Sequence, residues 1–225
     1  MQIDIVIPSK NRYNKLTNCL ISIEKYITNN IVVYVYFSSQ KEIDSFDIKK
    51  DWLIIRLYEN YIVPEFWNSH LKQCRADIMV CLNDDVLLKE NTILEIEKAF
   101  MNNFPNFDGV VGLRQSNGPQ EQCLDSAFCC IGLKYAQRFP QRQVYCINYK
   151  YFWADKELGD YAKKINKFYF AEKAEIIHLH PSFTKEIPDE THLYTRQYLM
   201  SDKTTYLKRK QLGYLWGENF NRINV

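Results

Sequence analysis

Asp77-Ile78-Met79-Val80-Cys81-Leu82-Asn83-Asp84-Asp85-Val86 is the stretch around which this chain is organised. Ile78 to Leu82 is apolar without interruption. Such a run fits a strand covered on both faces by helices, as at the centre of a parallel sheet. It stops at three hydrogen-bonding side chains, Asn83, Asp84 and Asp85. In open α/β sheets, ligands bind beyond the carboxyl ends of the strands. Two adjacent acids there repel unless something positive neutralises them, and a hard divalent cation, Mg²⁺ or Mn²⁺, suits carboxylate oxygens. The plainer reading is that Asp84 and Asp85 cap a following helix.

The segments before it supply what such a strand needs. Pro64 to Cys74 reads as a helix, with Phe66, Trp67, His70, Leu71 and Cys74 near one side. Ile3 to Pro8 reads as an opening strand ended by Pro8, followed by the polar loop Ser9-Lys10-Asn11-Arg12. A helix then carries Leu16, Cys19, Leu20, Ile23, Tyr26 and Ile27 at i, i+3, i+4 spacing. Ile31 to Phe37, closed by Ser38-Ser39, and Trp52 to Leu57 read as further strands. Strands alternating with helices imply an α/β fold with a mostly parallel central sheet. The loop after the opening strand then lies beside Asp84 and Asp85, where Lys10 and Arg12 face either an anionic ligand or solvent. That loop has no glycine. Neither G-x-G-x-x-G nor G-x-x-x-x-G-K-[ST] is present, which removes the dinucleotide and P-loop readings and weakens a nucleotidylyltransferase one.

Beyond the acids, Thr92 to Phe104 reads as a helix with Ile93, Ile96, Phe100 and Phe104 on one face and Asn91 as its cap. Asp84 and Asp85 lie too early to cap it. Gly109 to Leu113 reads as a strand. Gln115 to Cys123 is polar, with Gly118-Pro119 as a turn, and reads as a loop over the site or a plain connection. Leu124 to Leu133 is apolar and small, and Lys134 to Phe139 reads as a short helix ended by Pro140. A second acidic cluster runs from Phe152 to Asp160, ahead of the stripe Leu158, Tyr161, Ala162, Ile165. Asp155 at that helix start reads as an N-cap or as a general base. In Glu175-Ile176-Ile177-His178-Leu179-His180, alternation puts both histidines on one face, and either is a metal-ligand candidate. Near the end, Asp202 reads as the cap of a helix through Leu212 that stops at Gly213. Its run Lys208-Arg209-Lys210 reads as a solvated face or a phosphate clamp.

Bulk properties narrow the classes. With 225 residues, 46% hydrophobic and 25% charged, the chain can hold one well-filled α/β domain, or one domain with a small appendage, and its composition is ordinary for a soluble globular protein. A net charge of +2 gives no argument for nucleic acid or membrane. The start, Met-Gln-Ile-Asp-Ile-Val-Ile-Pro, has no basic segment ahead of an apolar one, and the apolar runs are too short to span a bilayer. The seven cysteines contain no C-x-x-C pair and read as reduced core residues of a cytoplasmic protein.

The order of these parts resembles the nucleotide-sugar glycosyltransferases of the GT-A fold, in particular the large, mostly inverting family two. Ile3 to Arg12 is similar to that family's opening strand and donor loop. Asn68 to Asp85 is similar to its helix-strand run into a D-x-D-type motif. Phe152 to Ala162 is similar to its E-D-x-D-L segment, and His178-Leu179-His180-Pro181 to its late metal-binding histidine. The resemblance implies that Asp85, with Asp84 and either His178 or His180, holds Mn²⁺ or Mg²⁺ against the diphosphate of a nucleotide-sugar donor. It implies that Asp155 is the base that deprotonates an acceptor hydroxyl, with inversion at the sugar. It places Pro8, Ser9, Lys10, Arg12, Asn68, Asn83 and Asp84 near the donor. Asn83 stands where the family has the first acid of D-x-D, Ala154 where it has the acid before Asp155, and Glu157 where it has a second Asp. Ser38-Ser39-Gln40 stands where it often has an acid for the base.

The expectation is a single GT-A domain over residues 1–225. Residues 1–115 would bind the donor, 116–188 would carry the acceptor side, and 189–225 would form a C-terminal helical segment. A UDP-sugar is the favoured donor, and a glycan or other hydroxyl the acceptor. The alternative is a non-catalytic nucleotide-sugar or glycan-binding module on the same fold. DNA as acceptor rests only on the basic C-terminal helix and would need steeply salt-dependent binding.

Overall fold

The computed structural model describes residues 1–59, 62–119, 126–213 and 216. One eight-stranded sheet runs through the molecule in the order β3-β2-β1-β4-β7-β6-β8-β5. Its first half is built from β1 (Ile3–Ser9), α1 (Tyr13–Glu24), β2 (Ile31–Phe37), α2 (Gln40–Asp44), β3 (Leu53–Leu57), α3 (Val63–Gln73) and β4 (Ile78–Cys81). Here β1 pairs in parallel with both β2 and β4, and β2 with β3. Side chains alternate across β1. Ile3, Ile5 and Ile7 face α1 and its core, whereas Val6 packs with Phe66, Trp67 and Leu71 of α3. Helices on both faces therefore explain the unbroken apolar run before Asn83.

The second half is mixed. It contains β5 (Val86–Leu88), α4 (Thr92–Asn103), β6 (Val110–Gln115), β7 (Cys129–Gly132), α5 (Leu133–Ala136), α6 (Ala154–Lys164), β8 (Phe168–His178), α7 (Glu190–Arg196) and α8 (Leu199–Gln211). β7 pairs antiparallel with β4 and β6, β8 parallel with β6, and β5 antiparallel with β8. Neither β5 nor β7 is expected from the sequence, because segments of 3 and 4 residues are too short to show a period. Residues 120–125 lie outside the described residues, so the expected loop Gln115 to Cys123 is seen only as far as residue 119.

Several helix starts differ from the sequence reading. Asn91 occupies the cap position of α4 in a left-handed conformation, φ 62, and its side chain makes no cap hydrogen bond. Asp155 is not a cap. Trp153 holds the cap position of α6 with φ 70, which is unusual for a bulky residue. Asp202 lies inside α8, and its carboxylate accepts the backbone N–H groups of Lys150, Tyr151 and Phe152 at 2.9–3.2 Å. Pro8 lies within β1 instead of ending it; β1 pairs with β4 only up to Val6, so the missing N–H of Pro8 costs no bond on that side. Gly213 does stop α8, at φ +69. The six cysteines among the described residues are free and buried. Among those residues, no helix is long and apolar enough to cross a membrane.

Candidate active site

The chain order places a crevice at one point. From β1 it moves through β2 to β3 on one side, then returns to lay β4 on the other side of β1. Loops leaving the carboxyl ends of β1 and β4 therefore diverge, and the gap between them is where α/β sheets bind ligands. Ser9 and Arg12 follow β1; Asn83, Asp84 and Asp85 follow β4.

Asp84 and Asp85 are both buried, at 2% exposure. Ser9 Oγ donates to Asp84 Oδ2 at 2.8 Å. Arg12 Nη1 donates to Asp84 Oδ1 at 3.0 Å and to Asp85 Oδ2 at 3.3 Å. On its other edge the same guanidinium donates from Nε and Nη2 to the two oxygens of Asp189, at 2.9 and 3.0 Å. This bidentate fork fixes the Arg12 plane. Asp189 caps α7 in a capping box with His192, worth about 1 kcal/mol to the helix. His192 Nε2 lies 2.8 Å from Arg12 Nη2 and 3.6 Å from Asp85 Oδ2. Asp189 and His192 are the site residues that the sequence reading missed. Their spacing resembles a cap rather than a ligand motif, and they come from a segment far along the chain.

The histidines divide. β5 and β8 pair so that Val86 lies opposite His178, and Leu179 donates its N–H to the Asp85 carbonyl at 2.7 Å. The Asn117 side chain grips the His178 backbone with two hydrogen bonds, at 2.8 and 3.0 Å. His178 Nε2 thereby meets Asp85 Oδ1 at 3.2 Å, outside hydrogen-bond alignment. His180 packs beside His178 and His192 and, among the described residues, makes no ion pair with Asp85. Its ring lies against His178, Phe183 and His192, and its Nδ1 accepts the Ser182 N–H at 3.1 Å.

Electrostatics separates the two adjacent acids. Burial raises the Asp84 carboxyl to about 6; Arg12 opposes this and Asp85 adds to it. Burial also acts on Asp85, but contact with His178 and His192 and the charge of Arg12 outweigh it and hold the group well below the usual range. Burial and the neighbouring His178 and His192 push His180 down to about 4. Asp85 is thus set to be charged, the state in which a carboxylate binds a cation.

The residues present fit a divalent ion. Asp85 Oδ1 and both ring nitrogens of His178 are buried without a hydrogen bond. Adjacent ligands of an octahedral ion with bonds near 2.1 Å lie about 3 Å apart. The 3.2 Å between Asp85 Oδ1 and His178 Nε2 matches that edge.

Asp155 lies in the first turn of α6. Its carbonyl accepts a hydrogen bond from Ser126, two residues before Phe128, whose ring packs edge-on against His178 at 4.9 Å. Gly159 permits that approach, since a Cβ there would lie 2.2 Å from Ser126 Oγ. The other expected donor residues scatter. Pro8 is buried in β1, Lys10 lies 5.7 Å from the ring centre of Tyr194, and the Asn83 carbonyl closes a turn onto Val86. Asn68 is not brought to the crevice by its polar atoms. Its amide both donates to and accepts from the Tyr145 backbone, at 2.7 and 2.9 Å. After β2, the hydroxyls of Ser38 and Ser39 hold Glu42, which accepts the Asn11 N–H at 2.6 Å.

No protein-family model and no curated protein matches the sequence. Solved structures do match the fold. The mannosyltransferase PcManGT from Pyrobaculum calidifontis, in complex with GDP-Man and Mn²⁺, is 12% identical; the match covers 97% of this chain and 69% of that one, with a TM-score of 0.67. This is the GT-A glycosyltransferase fold. A second match, residues 1–349 of S. aureus TarS, is 15% identical and covers 100% of this chain and 76% of that one, with a TM-score of 0.64. The same TarS segment in complex with UDP-GlcNAc is 13% identical and covers 100% and 74%, with a TM-score of 0.62. At these identities what is shared is the GT-A fold.

Proposed function

We propose that this chain is a metal-dependent, inverting glycosyltransferase that moves a sugar from a nucleotide-diphosphate donor, a UDP-sugar by preference, to a hydroxyl of a glycan or other acceptor. The observation that carries the reading is the buried pair Asp85 and His178, whose facing atoms lack hydrogen bonds at the crevice of a GT-A fold. The neighbours add support, since PcManGT is in complex with GDP-Man and Mn²⁺ and TarS with UDP-GlcNAc. Asp85 and His178 would hold Mn²⁺ or Mg²⁺, with His192 beside them and Asp84 behind. When bound, the ion supplies positive charge against the leaving diphosphate. Arg12 keeps the two adjacent acids from repelling each other and leaves a guanidinium at the donor pocket. Asp155 takes the proton of the acceptor hydroxyl as that oxygen attacks the anomeric carbon.

In this reading residues 1–115 bind the donor and 116–188 carry the acceptor side. Residues 189–225 would be the C-terminal helical segment, of which 214–215 and 217–225 lie outside the described residues, and its Asp189 and His192 lie beside Arg12. The chain would work in the cytoplasm. The second reading, a non-catalytic nucleotide-sugar or glycan-binding module, is favoured by Asn83 and Ala154 at positions where an acid is expected. DNA as acceptor loses support because Arg209, central to the basic helix, is buried.

Calorimetric titration with UDP, GDP and their sugar conjugates, with and without Mn²⁺, tests the proposal. One nucleotide should bind, and binding should vanish with EDTA. Donor hydrolysis or transfer that needs a divalent ion separates the enzyme from the binding module. A folded protein that binds no nucleotide under any of these conditions overturns both donor readings.

A further inference from the structure

A second cluster of ligand-type side chains lies at the opposite end of β1. Asp4 is on the α3 side of the sheet, His70 is in the last turn of α3, and Cys74 is its C-cap. All three are nearly sealed from solvent, at 4–5% exposure. Their ligand atoms lie within 4.8 Å of one another. His70 Nε2 is 3.3 Å from Asp4 Oδ2, and Cys74 Sγ is 3.4 Å from the same oxygen. Around a tetrahedral zinc ion, adjacent nitrogen, oxygen and sulfur donors stand about 3.3–3.6 Å apart. Two of the three edges, those from Asp4 Oδ2 to His70 and to Cys74, therefore match such an ion, and the third is within 4.8 Å.

Two further features point to a cation. His70 Nδ1 bonds to Tyr36 Oη at 2.8 Å, which fixes the ring and leaves Nε2 turned to the cluster. Metal-bound histidines are held in this way by a partner on the second nitrogen. Among the described residues, the buried Asp4 carboxylate meets an imidazole and a thiol. A buried carboxylate is stable only when paired with positive charge.

We propose that Asp4, His70 and Cys74 form a structural Zn²⁺ site that fastens the start of β1 to the end of α3, with water completing the fourth position. The site is distinct from the donor site: Asp4 and Ser9 are five residues apart on one strand, about 16 Å. Binding exchanges a proton for a metal. The Cys74 S–H bond breaks, an S–Zn bond forms, and the proton leaves to solvent. Without a cation, burial beside Asp4 pushes this thiol up to about 12 and keeps it protonated.

Titrating the full chain with Cd²⁺ reads the site directly, because a thiolate–cadmium bond adds near-ultraviolet charge-transfer absorption. One equivalent should saturate the band. It should be absent in Cys74→Ser and retained in Cys81→Ser and Asp85→Ala. Zn²⁺ should raise the Tm of the wild type and leave that of His70→Gln unchanged. Should Cys74→Ser not fold, the wild-type band and the His70→Gln comparison still decide. A folded wild type that forms no thiolate–metal band, or a band that persists in Cys74→Ser, overturns the proposal. Loss of donor binding in Asp85→Ala with the band intact would show that the two sites are independent.

Discussion

Two arginines, Arg209 buried and Arg12 partly buried, divide this molecule. Arg209 of α8 donates from Nε to both oxygens of Glu157 in α6, at 3.1 and 3.2 Å, and its Nη2 lies 3.1 Å from Oε1. Glu157 also accepts the Trp216 N–H at 2.9 Å. Among the described residues, this guanidinium meets one carboxylate, both at 1–2% exposure, and the two charges balance. Arg12 instead meets three carboxylates, those of Asp84, Asp85 and Asp189. A balanced buried pair serves to pin one element to another, here α8 to α6. An unbalanced cluster retains negative charge that draws in a cation. Lys15, 3.5 Å from Asp189, offsets part of the excess, and the remainder lies where the metal-dependent chemistry is proposed.

The comparison would break first at catalysis. Asp155→Asn should lower transfer by about 10²–10⁴-fold, measured as kcat with donor affinity near wild type by calorimetry. A variant that kept transfer would remove Asp155 as the base. Asp85→Ala takes the key acid from the unbalanced cluster. It should weaken Mn²⁺-dependent donor binding by at least about 100-fold, while the far-ultraviolet circular dichroism stays native.

At the balanced pair the expected effect is on stability alone. Arg209→Met leaves Glu157 buried without its partner and should cost about 3–5 kcal/mol in urea unfolding. The fraction still folded should bind donor normally. If donor binding failed in that fraction, the division between the two arginines would be wrong.

A smaller effect depends on pH. The folded Asp84 carboxyl is raised to about 6 from an ordinary value of 3.8. Between those values the folded state binds a proton that the unfolded chain releases, so this group makes the protein less stable as pH climbs through 6. Asp84→Asn should remove that slope and raise stability by on the order of 2 kcal/mol at pH 8, with the gain fading toward pH 4 in Tm measurements. Asp189, held down to about 2, has the opposite sign. Its contribution is full above about pH 4 and is lost as pH falls through 2. Smallest of all, Lys50→Gln removes the exposed pair with Glu24 and should change stability by less than about 0.5 kcal/mol.

Much of the fold was legible because it rests on local periodicity. The stripe Leu16, Cys19, Leu20, Ile23 is buried as expected, and so is Ile93, Ile96, Phe100. The parallel half of the sheet follows from strands that alternate with helices. Arg209 was hidden inside a basic run, although Asp202, Tyr206 and Arg209 share a helical face and all three are buried. Polar residue types mask such a face, since burial there depends on a distant partner such as Glu157. His192 was hidden for the same reason.

The sequence by itself determined that a buried strand ends in two acids, that a basic loop follows the first strand, and that a histidine pair closes a late strand. Each is a pattern within a few residues, where backbone geometry alone decides which side chains share a face. Only the tertiary structure decided which cation meets which acid. It joined Arg12 to acids 72, 73 and 177 residues away, chose His178 over His180 to face Asp85, and brought in His192 from α7. Those choices depend on how the helices pack across the ends of the sheet, which no local period encodes.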